Sequence, residues 1–152
     1  MVTMNVNDQN RYVKSRNDAQ LRGVFVKSRS ALSDCAPLIA NDTNGKTNDP
    51  ALFYLPCGLI ANTMFNDSFQ LRNNDGYIEL RKKGIAWPTD VKNKFKNPAP
   101  GTPGIRTITN FEDEDFIVWM RTAGLPSFSK LYRIIDHDLK GEYTVDIFNS
   151  TC

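Results

Sequence analysis

Clusters of turn-forming residues divide the chain into short segments, and they limit its secondary structure more than any other feature. Polar stretches rich in Asn, Asp, Gly and Pro predict loops at residues 41–50, 72–76 and 97–104. The intervals between them are too short for many long helices, and no window sustains an apolar i, i+3, i+4, i+7 stripe beyond two turns. This punctuation favours short strands joined by turns.

Apolar patterning indicates where those strands lie. Residues 142–148 alternate, with Tyr143, Val145 and Ile147 on one face and polar side chains on the other, as in a strand with one solvated face. Residues 116–120 are apolar on both faces, which favours a central strand or one covered by a partner. Both segments therefore enter the predicted sheet.

Four further segments have weaker patterns. Residues 128–135 are consistent with another strand, residues 77–80 and 85–87 could pair with each other, and residues 57–65 suit a short helix or a turn. Together these segments predict a mainly β fold, an antiparallel β-sandwich with long loops and one or two short helical turns.

Composition indicates one globular domain spanning residues 1–152. The hydrophobic share of 40% and the charged share of 24% are ordinary for such a domain. A net charge of +2 is too small to indicate nucleic-acid binding. No apolar run approaches the roughly 18–20 residues that cross a bilayer, and the first ten residues do not have the charged and apolar regions of a signal peptide.

The three cysteines are Cys35, Cys57 and Cys152, and no two of them form a CxxC pair. A structural zinc site normally needs four nitrogen or sulfur ligands, and the lone His137 is far from all three in sequence, so no metal is predicted. In an oxidising compartment Cys35 and Cys57 could pair and leave Cys152 over. In a reducing compartment all three could be buried thiols, and composition does not decide between these alternatives.

N-glycosylation sequons begin at Asn41, Asn66 and Asn149. From the Asn, Ser and Thr content we expect about two such sequons by chance. The sequons therefore do not by themselves indicate a secreted glycoprotein.

No catalytic constellation is convincing. His137 lies between Asp136 and Asp138, but neighbours on an extended chain point to opposite faces, so neither is placed to orient it as a base. The acidic run at 112–115 does not have calcium-loop spacing, and residues 101–104 do not have the form of a phosphate loop. We predict no enzymatic activity, no catalytic residue and no cofactor.

Trp119 and Arg121 are of the two residue types that most often anchor protein interfaces. On a predicted strand they share a face with Ile117. The alternative is that Trp119 packs in the core with Arg121 at its rim.

Four blocks of the sequence resemble signature stretches of one protein family. They are RYVKSRNDAQL at 11–21, PCGLIANTMFNDS at 56–68, KGIAWPTDVKNKFKNP at 83–98, and EDFIVWMRTAGLP followed by KLYR within 114–133. In this order they are similar to the cell-division-control protein 50 family, also called the ligand-effect modulator family. Its members are accessory β-subunits of type-IV P-type ATPases, the phospholipid flippases.

The resemblance implies an architecture and covalent features. The family has a β-sandwich ectodomain between two membrane-spanning helices, of which this chain contains only the ectodomain portion. The resemblance also implies a disulfide between Cys35 and Cys57 and a glycan on Asn66. The sequons at Asn41 and Asn149 have no clear family counterpart, and Cys152 has no matching partner.

The resemblance also implies a function. The chain is expected to be a non-catalytic subunit that forms a heterodimer with the ATPase large subunit and supports its folding, its export from the endoplasmic reticulum and lipid flipping. It would lie on the lumenal or extracellular side of the endoplasmic reticulum, Golgi or plasma membrane, near phospholipid head groups.

The family-like blocks are dense in arginine and aromatic side chains, which predicts a partner interface there. The interface residues predicted on this basis are Arg11, Tyr12, Lys14, Arg16, Trp119 and Arg121. An alternative function from a different class is a free-standing extracellular domain that recognises glycans or lipid head groups.

Overall fold

The strands of the protein are short and belong to two separate sheets. The computed structural model describes residues 16–24, 30–36, 38–41, 52–64, 67–101, 105–107, 109–125 and 127–149. Within these ranges the strands are β1 Ala40–Asn41, β2 Leu52–Leu55, β3 Ser68–Asn73, β4 Gly76–Ile78, β5 Ile105–Thr107 and β6 Thr144–Phe148.

The two sheets differ in strand direction. In the first, β1 pairs antiparallel with β2, and β2 pairs parallel with β5. In the second, β3 lies between β4 and β6 and is antiparallel to both. The predicted antiparallel pairing is thus confirmed in the second sheet, whereas the parallel β2–β5 pair was not predicted. The stacking of sheets into a sandwich stays a prediction.

A tight turn joins β3 to β4 at the predicted loop 72–76. Asn73 pairs with Gly76 across the hairpin, and its side-chain Oδ1 accepts hydrogen bonds from the backbone N–H groups of Asp75 and Gly76 at 2.9 and 3.1 Å. Gly76 has a φ of +136°, a conformation that a side chain would strain. The Asn-Asn-Asp-Gly sequence forms this turn because it supplies both the side-chain acceptor and the glycine.

Strand β6 confirms the strand predicted at 142–148. Val145 lies opposite Leu71 of β3 and Ile147 lies opposite Phe69, so these apolar side chains share a face as the alternation predicts. Their burial differs from the expectation, however. Val145 is 56% exposed and Ile147 is 64% exposed, while Phe69 and Leu71 are half-buried. The half of this apolar row that belongs to β6 therefore faces solvent within the described residues.

Short helices contribute as much to the structure as the strands do. They are α1 Asp18–Leu21, a 3₁₀ helix Ser30–Cys35, α2 Leu59–Asn62, α3 Pro88–Asn93 and α4 Glu114–Met120. Helix α2 confirms the helix or turn predicted at 57–65.

Helix α4 corrects the strand predicted at 116–120. Phe116, Ile117 and Met120, spaced at i, i+1 and i+4, are all buried, as on the inner face of an amphipathic helix. Asp113 caps the helix by accepting a hydrogen bond from the Asp115 backbone N–H at 3.0 Å. The acidic run at 112–115 thus leads into the first turn of the helix, where negative charge is favourable.

Two other predicted strands are also wrong. Residues 128–135 form no strand, and their β-type backbone pairing is limited to an isolated bridge, in which Arg81 and Ile134 exchange hydrogen bonds of 2.9 and 3.1 Å. Residues 85–87 do not pair with 77–80. They lead into α3, whose first residue is Pro88, a position where its missing N–H costs nothing.

The main core lies among the helices rather than between two sheets. Its buried members are Leu21, Leu55, Ile60, Ala61, Ala86, Phe95, Phe111, Phe116, Ile117 and Met120. Phe116 is central, because its ring stacks on Phe111 at a centroid distance of 5.6 Å and meets the edge of Phe95 at 6.1 Å. Among the strand side chains that the structure describes, Leu55 of β2 is the one buried in this core.

A second, smaller core surrounds the disulfide between Cys35 and Cys57. Both cysteines are fully buried beside Leu32, and their Cα atoms are 5.5 Å apart. The backbone N–H of Cys57 donates a 2.8 Å hydrogen bond to Oε1 of Gln20, which is itself buried. The disulfide therefore connects the 3₁₀ helix to the segment that enters α2, and Gln20 connects that segment to α1.

We expect the Cys35→Ala/Cys57→Ala double variant to lower the free energy of unfolding by about 2–5 kcal/mol, because the unfolded chain loses the constraint of a closed loop. Urea unfolding followed by circular dichroism measures the change. Ser33→Ala, an exposed change in the same 3₁₀ helix, is the control and should stay within about 0.5 kcal/mol of wild type. Equal midpoints for wild type and the double variant would contradict the prediction.

We expect Asp113→Ala to destabilise the protein by about 1 kcal/mol, because the first turn of α4 loses its capping acceptor. Asp113→Asn is the matched control, since it keeps that acceptor and loses only the ion pair with Lys82 at 2.8 Å. Urea unfolding of both variants distinguishes the two contributions. An Asn variant as unstable as the Ala variant would show that the ion pair, and not the cap, is responsible.

Candidate functional site

The carboxyl end of α4 is held by two basic side chains. Lys130 Nζ donates to the carbonyl of Trp119, and Arg16 Nη1 donates to the carbonyl of Met120 at 2.8 Å. The last carbonyls of a helix have no partner within the helix and carry partial negative charge, so both cations are favourably placed. Arg16, one of the predicted interface residues, thus has a structural role in fixing the end of this helix.

Trp119 lies at the edge of the main core. Its indole N–H donates to the carbonyl of Ile60 and ties α4 to α2, and its half-buried ring packs against the core. Lys130 lies over the same ring at 5.6 Å from its centroid. Burial of the ammonium group and, to a smaller extent, the nearby Arg16 charge lower the pKa of Lys130 to about 8. These contacts show that Trp119 packs against the main core. Its role in an interface stays a prediction.

Arg121 follows α4 and is fixed on two sides. Its Nη1 contacts Oδ2 of Asp90 at 3.0 Å, and its guanidinium lies 3.7 Å from the centroid of the Trp87 ring. Asp90 is only 2% exposed and is also paired with Lys94 at 2.7 Å. Two cations thus compensate one buried carboxylate. The predicted strand face shared by Trp119 and Arg121 is wrong, because the first is helical and the second ends the helix.

A concave site, which we call the basic groove, lies where α1, α3 and the end of α4 meet. It has a volume of about 250 Å³, and its basic members are Arg16, Arg22, Lys94 and Arg121. Two residues predicted separately for a partner interface, Arg16 and Arg121, are therefore brought together across 105 positions of sequence by the fold.

A larger cavity of about 550 Å³ lies between α2, α4 and the 130–133 segment. Its walls include Met64, Val118, Trp119 and Leu131, with Arg133 among the polar members. Trp119 lines this cavity and not the basic groove. The structure therefore divides the predicted interface residues between two places.

Ion pairs connect the start of α4 to the rest of the chain. Lys82 Nζ lies 2.8 Å from Asp113 and 2.9 Å from Asp115, and Asp115 also forms a double hydrogen bond with Arg133. Burial on its own would raise the pKa of Asp115, but hydrogen bonds from Arg133 and Lys82 outweigh it and lower that pKa. The carboxylate is thus held in its charged form.

The predicted glycosylation sites are unequally placed. Asn149 is exposed directly after β6, where a glycan would face solvent. The backbone of Asn41 belongs to β1. Asn66 lies outside the described residues, as do three of the predicted interface residues, Arg11, Tyr12 and Lys14.

Several residues of the site were missed by the sequence reasoning. Trp87 is 61% exposed beside Arg121, Asp90 is buried beneath it, and Arg22 and Lys94 complete the basic groove. The available signal was the Trp87-Pro88 pair, which marks the start of a helix, with Asp90 and Lys94 four residues apart on it. The pairing of Asp90 with Arg121 had no local signal.

The described ranges contain no group of three His, Cys, Asp or Glu side chains arranged to hold a metal ion. None of their helices has the length and apolar character needed to cross a membrane.

We expect Asp115→Asn to lower stability at neutral pH and to have progressively less effect as the pH falls below about 4. The folded pKa of Asp115 is below its unfolded value, so its contribution is present above about pH 4 and is lost as the pH falls through the folded pKa. Urea unfolding across this range measures it. Asp138→Asn, at an exposed position, is the control. A difference from wild type that does not change with pH would contradict the prediction.

Comparison with known proteins gives one consistent result. Residues 5–150 match the model of the LEM3 (ligand-effect modulator 3) family / CDC50 family. The chain is 41% identical to "ALA-interacting subunit 3" of Arabidopsis thaliana over 148 residues, which cover 90% of this chain and 40% of that protein.

Animal relatives are equally similar. The chain is 40% identical to "Cell cycle control protein 50A" of Bos taurus, over 83% of this chain and 40% of the relative. It is also 40% identical to "Cell cycle control protein 50B" of Homo sapiens, over 80% of this chain and 41% of the relative. The chain spans about two fifths of the length of these relatives. It belongs to the ligand-effect modulator 3 / CDC50 family.

Proposed function

We propose that the chain acts as a non-catalytic accessory subunit of a phospholipid-translocating P-type ATPase. The observation that carries the proposal is the family match over residues 5–150, together with relatives whose names describe them as interacting subunits. ATP hydrolysis and lipid movement would belong to the large subunit. The role of this chain would be to bind that subunit outside the cytosol and to support its folding, its export from the endoplasmic reticulum and its flipping activity.

The physical requirement for such a role is a stiff body with a polar docking surface. The buried disulfide and the packed helices around Phe116 supply the stiffness. Arg121 and the exposed Trp87 next to it have the composition of interface anchors. A disulfide also persists more readily in an oxidising compartment, which favours the lumenal or extracellular side.

Two finer features belong to the same proposal. The second sheet, β4–β3–β6, would be one layer of the family's β-sandwich, and its solvent-facing Val145 and Ile147 are the surface that a second layer would cover. Glycans on Asn66 and Asn149 would mark faces that stay in water and are excluded from docking.

The proposal predicts that the tagged chain, expressed with a type-IV P-type ATPase large subunit in the secretory pathway, captures that subunit from detergent-solubilised membranes. It also predicts that more of the large subunit leaves the endoplasmic reticulum. An unrelated disulfide-bonded ectodomain with the same tag is the control. The proposal fails if the chain recovers no more large subunit than the control does. It also fails if co-expression of the chain does not increase the amount of large subunit that leaves the endoplasmic reticulum.

A further inference from the structure

We propose that the basic groove docks an acidic segment of a protein partner through side-chain carboxylates. The inference rests on the proposed function, because the partner in question is the ATPase large subunit. It goes further by assigning one place on the chain and one chemistry to the contact.

The charges of the groove are not balanced within the described residues. Its carboxylates, Asp18 and Asp90, are both already paired: Asp18 with Arg16 at 3.1 Å, and Asp90 with Lys94 and Arg121. Arg22 is exposed and has no ion pair within the part of the chain that the structure describes. Lys94 and Arg121 each retain donors beyond those used by Asp90. The groove thus carries four cationic side chains against two carboxylates, and donors remain available on its cations.

The shape of the groove favours a polypeptide over a flat surface. Basic side chains form its rim, while its apolar floor consists of Leu21, Phe95 and Met120, all buried. Its volume of about 250 Å³ is enough for a few side chains and is below the usual size of a small-molecule site. A planar array of lipid head groups could touch the rim but could not reach the floor. An acidic segment can place carboxylates at the rim and an apolar side chain below them.

The groove is also pre-organised for binding. Arg121 is held between the Trp87 ring and the buried Asp90, so its orientation is fixed before a partner arrives. A side chain already ordered loses less entropy when it binds. The exposed Trp87 extends the same surface beyond the rim. Tryptophan and arginine together are the residue types that contribute most to interface affinity.

The test compares two variants that change the formal charge equally. The groove variant is Arg22→Glu/Lys94→Gln, which leaves the Arg121 contact to Asp90 in place. The control is Lys83→Glu/Lys140→Gln, which changes exposed lysines outside the groove. Both are expressed as full chains with a type-IV P-type ATPase large subunit and captured in detergent without anionic lipid. Urea unfolding checks that both fold, and Arg22→Glu alone is used if the double groove variant does not.

We expect the groove variant to recover at least about tenfold less large subunit than wild type, equivalent to about 1.4 kcal/mol of binding free energy, and the control to match wild type. We also expect Asp or Glu to Lys changes in one acidic extracytoplasmic segment of the large subunit, the docked segment of this proposal, to restore capture of the groove variant. Equal capture of wild type and groove variant would overturn the inference and leave the proposed function standing. Failure of wild type to capture the large subunit would overturn both.

Vesicles containing phosphatidylserine provide the second arm. If wild type binds them, the groove variant does not, and capture of the large subunit is unchanged, then the groove belongs to lipid head groups and the inference is wrong. If the groove variant loses capture and the charge-swapped large subunit restores it, the result supports docking of an acidic segment, whatever the vesicles show.

Discussion

The two ends of α4 are the constraint on which the rest of the structure depends. A helix of this length leaves most of its backbone groups without partners inside the helix, so its stability must come from other segments. At its start, Glu114 accepts hydrogen bonds from the backbone N–H groups of Gly84 and Ala86. At its end, Arg16 and Lys130 bind the last carbonyls. Segments from three distant parts of the sequence are therefore positioned by a single short helix.

The buried face of α4 holds the helix in the position that these polar contacts require. Phe116 contacts two other aromatic rings in the core, so displacing the helix would separate them. The polar contacts at the ends and the apolar contacts on the face thus fix the same position of the helix. The same geometry sets Arg121 beyond the last turn and above Asp90, where it becomes part of the surface.

The sequence predicted the features that depend on neighbouring residues and failed on those that depend on distant ones. The Asn73–Gly76 turn, strand β6 and helix α2 were found because turn residues and local alternation specify them. The apolar run at 116–120 was assigned to a strand because five apolar residues show no periodicity that separates strand from helix. The acidic N-cap before this run was the signal that could have identified it as a helix. The basic groove could not be found, since its members meet only after α1, α3 and α4 have packed.

The position of the disulfide has a consequence for its chemistry. Neither Cys35 nor Cys57 exposes any surface, and Leu32 packs beside them. A reducing agent must approach a sulfur atom directly, so this small core has to open before exchange can begin. The rate at which the bond is reduced in the native protein therefore reports how often the 3₁₀ helix separates from the segment leading into α2. The disulfide that holds these segments together is thus also a chemical probe of how often they open locally.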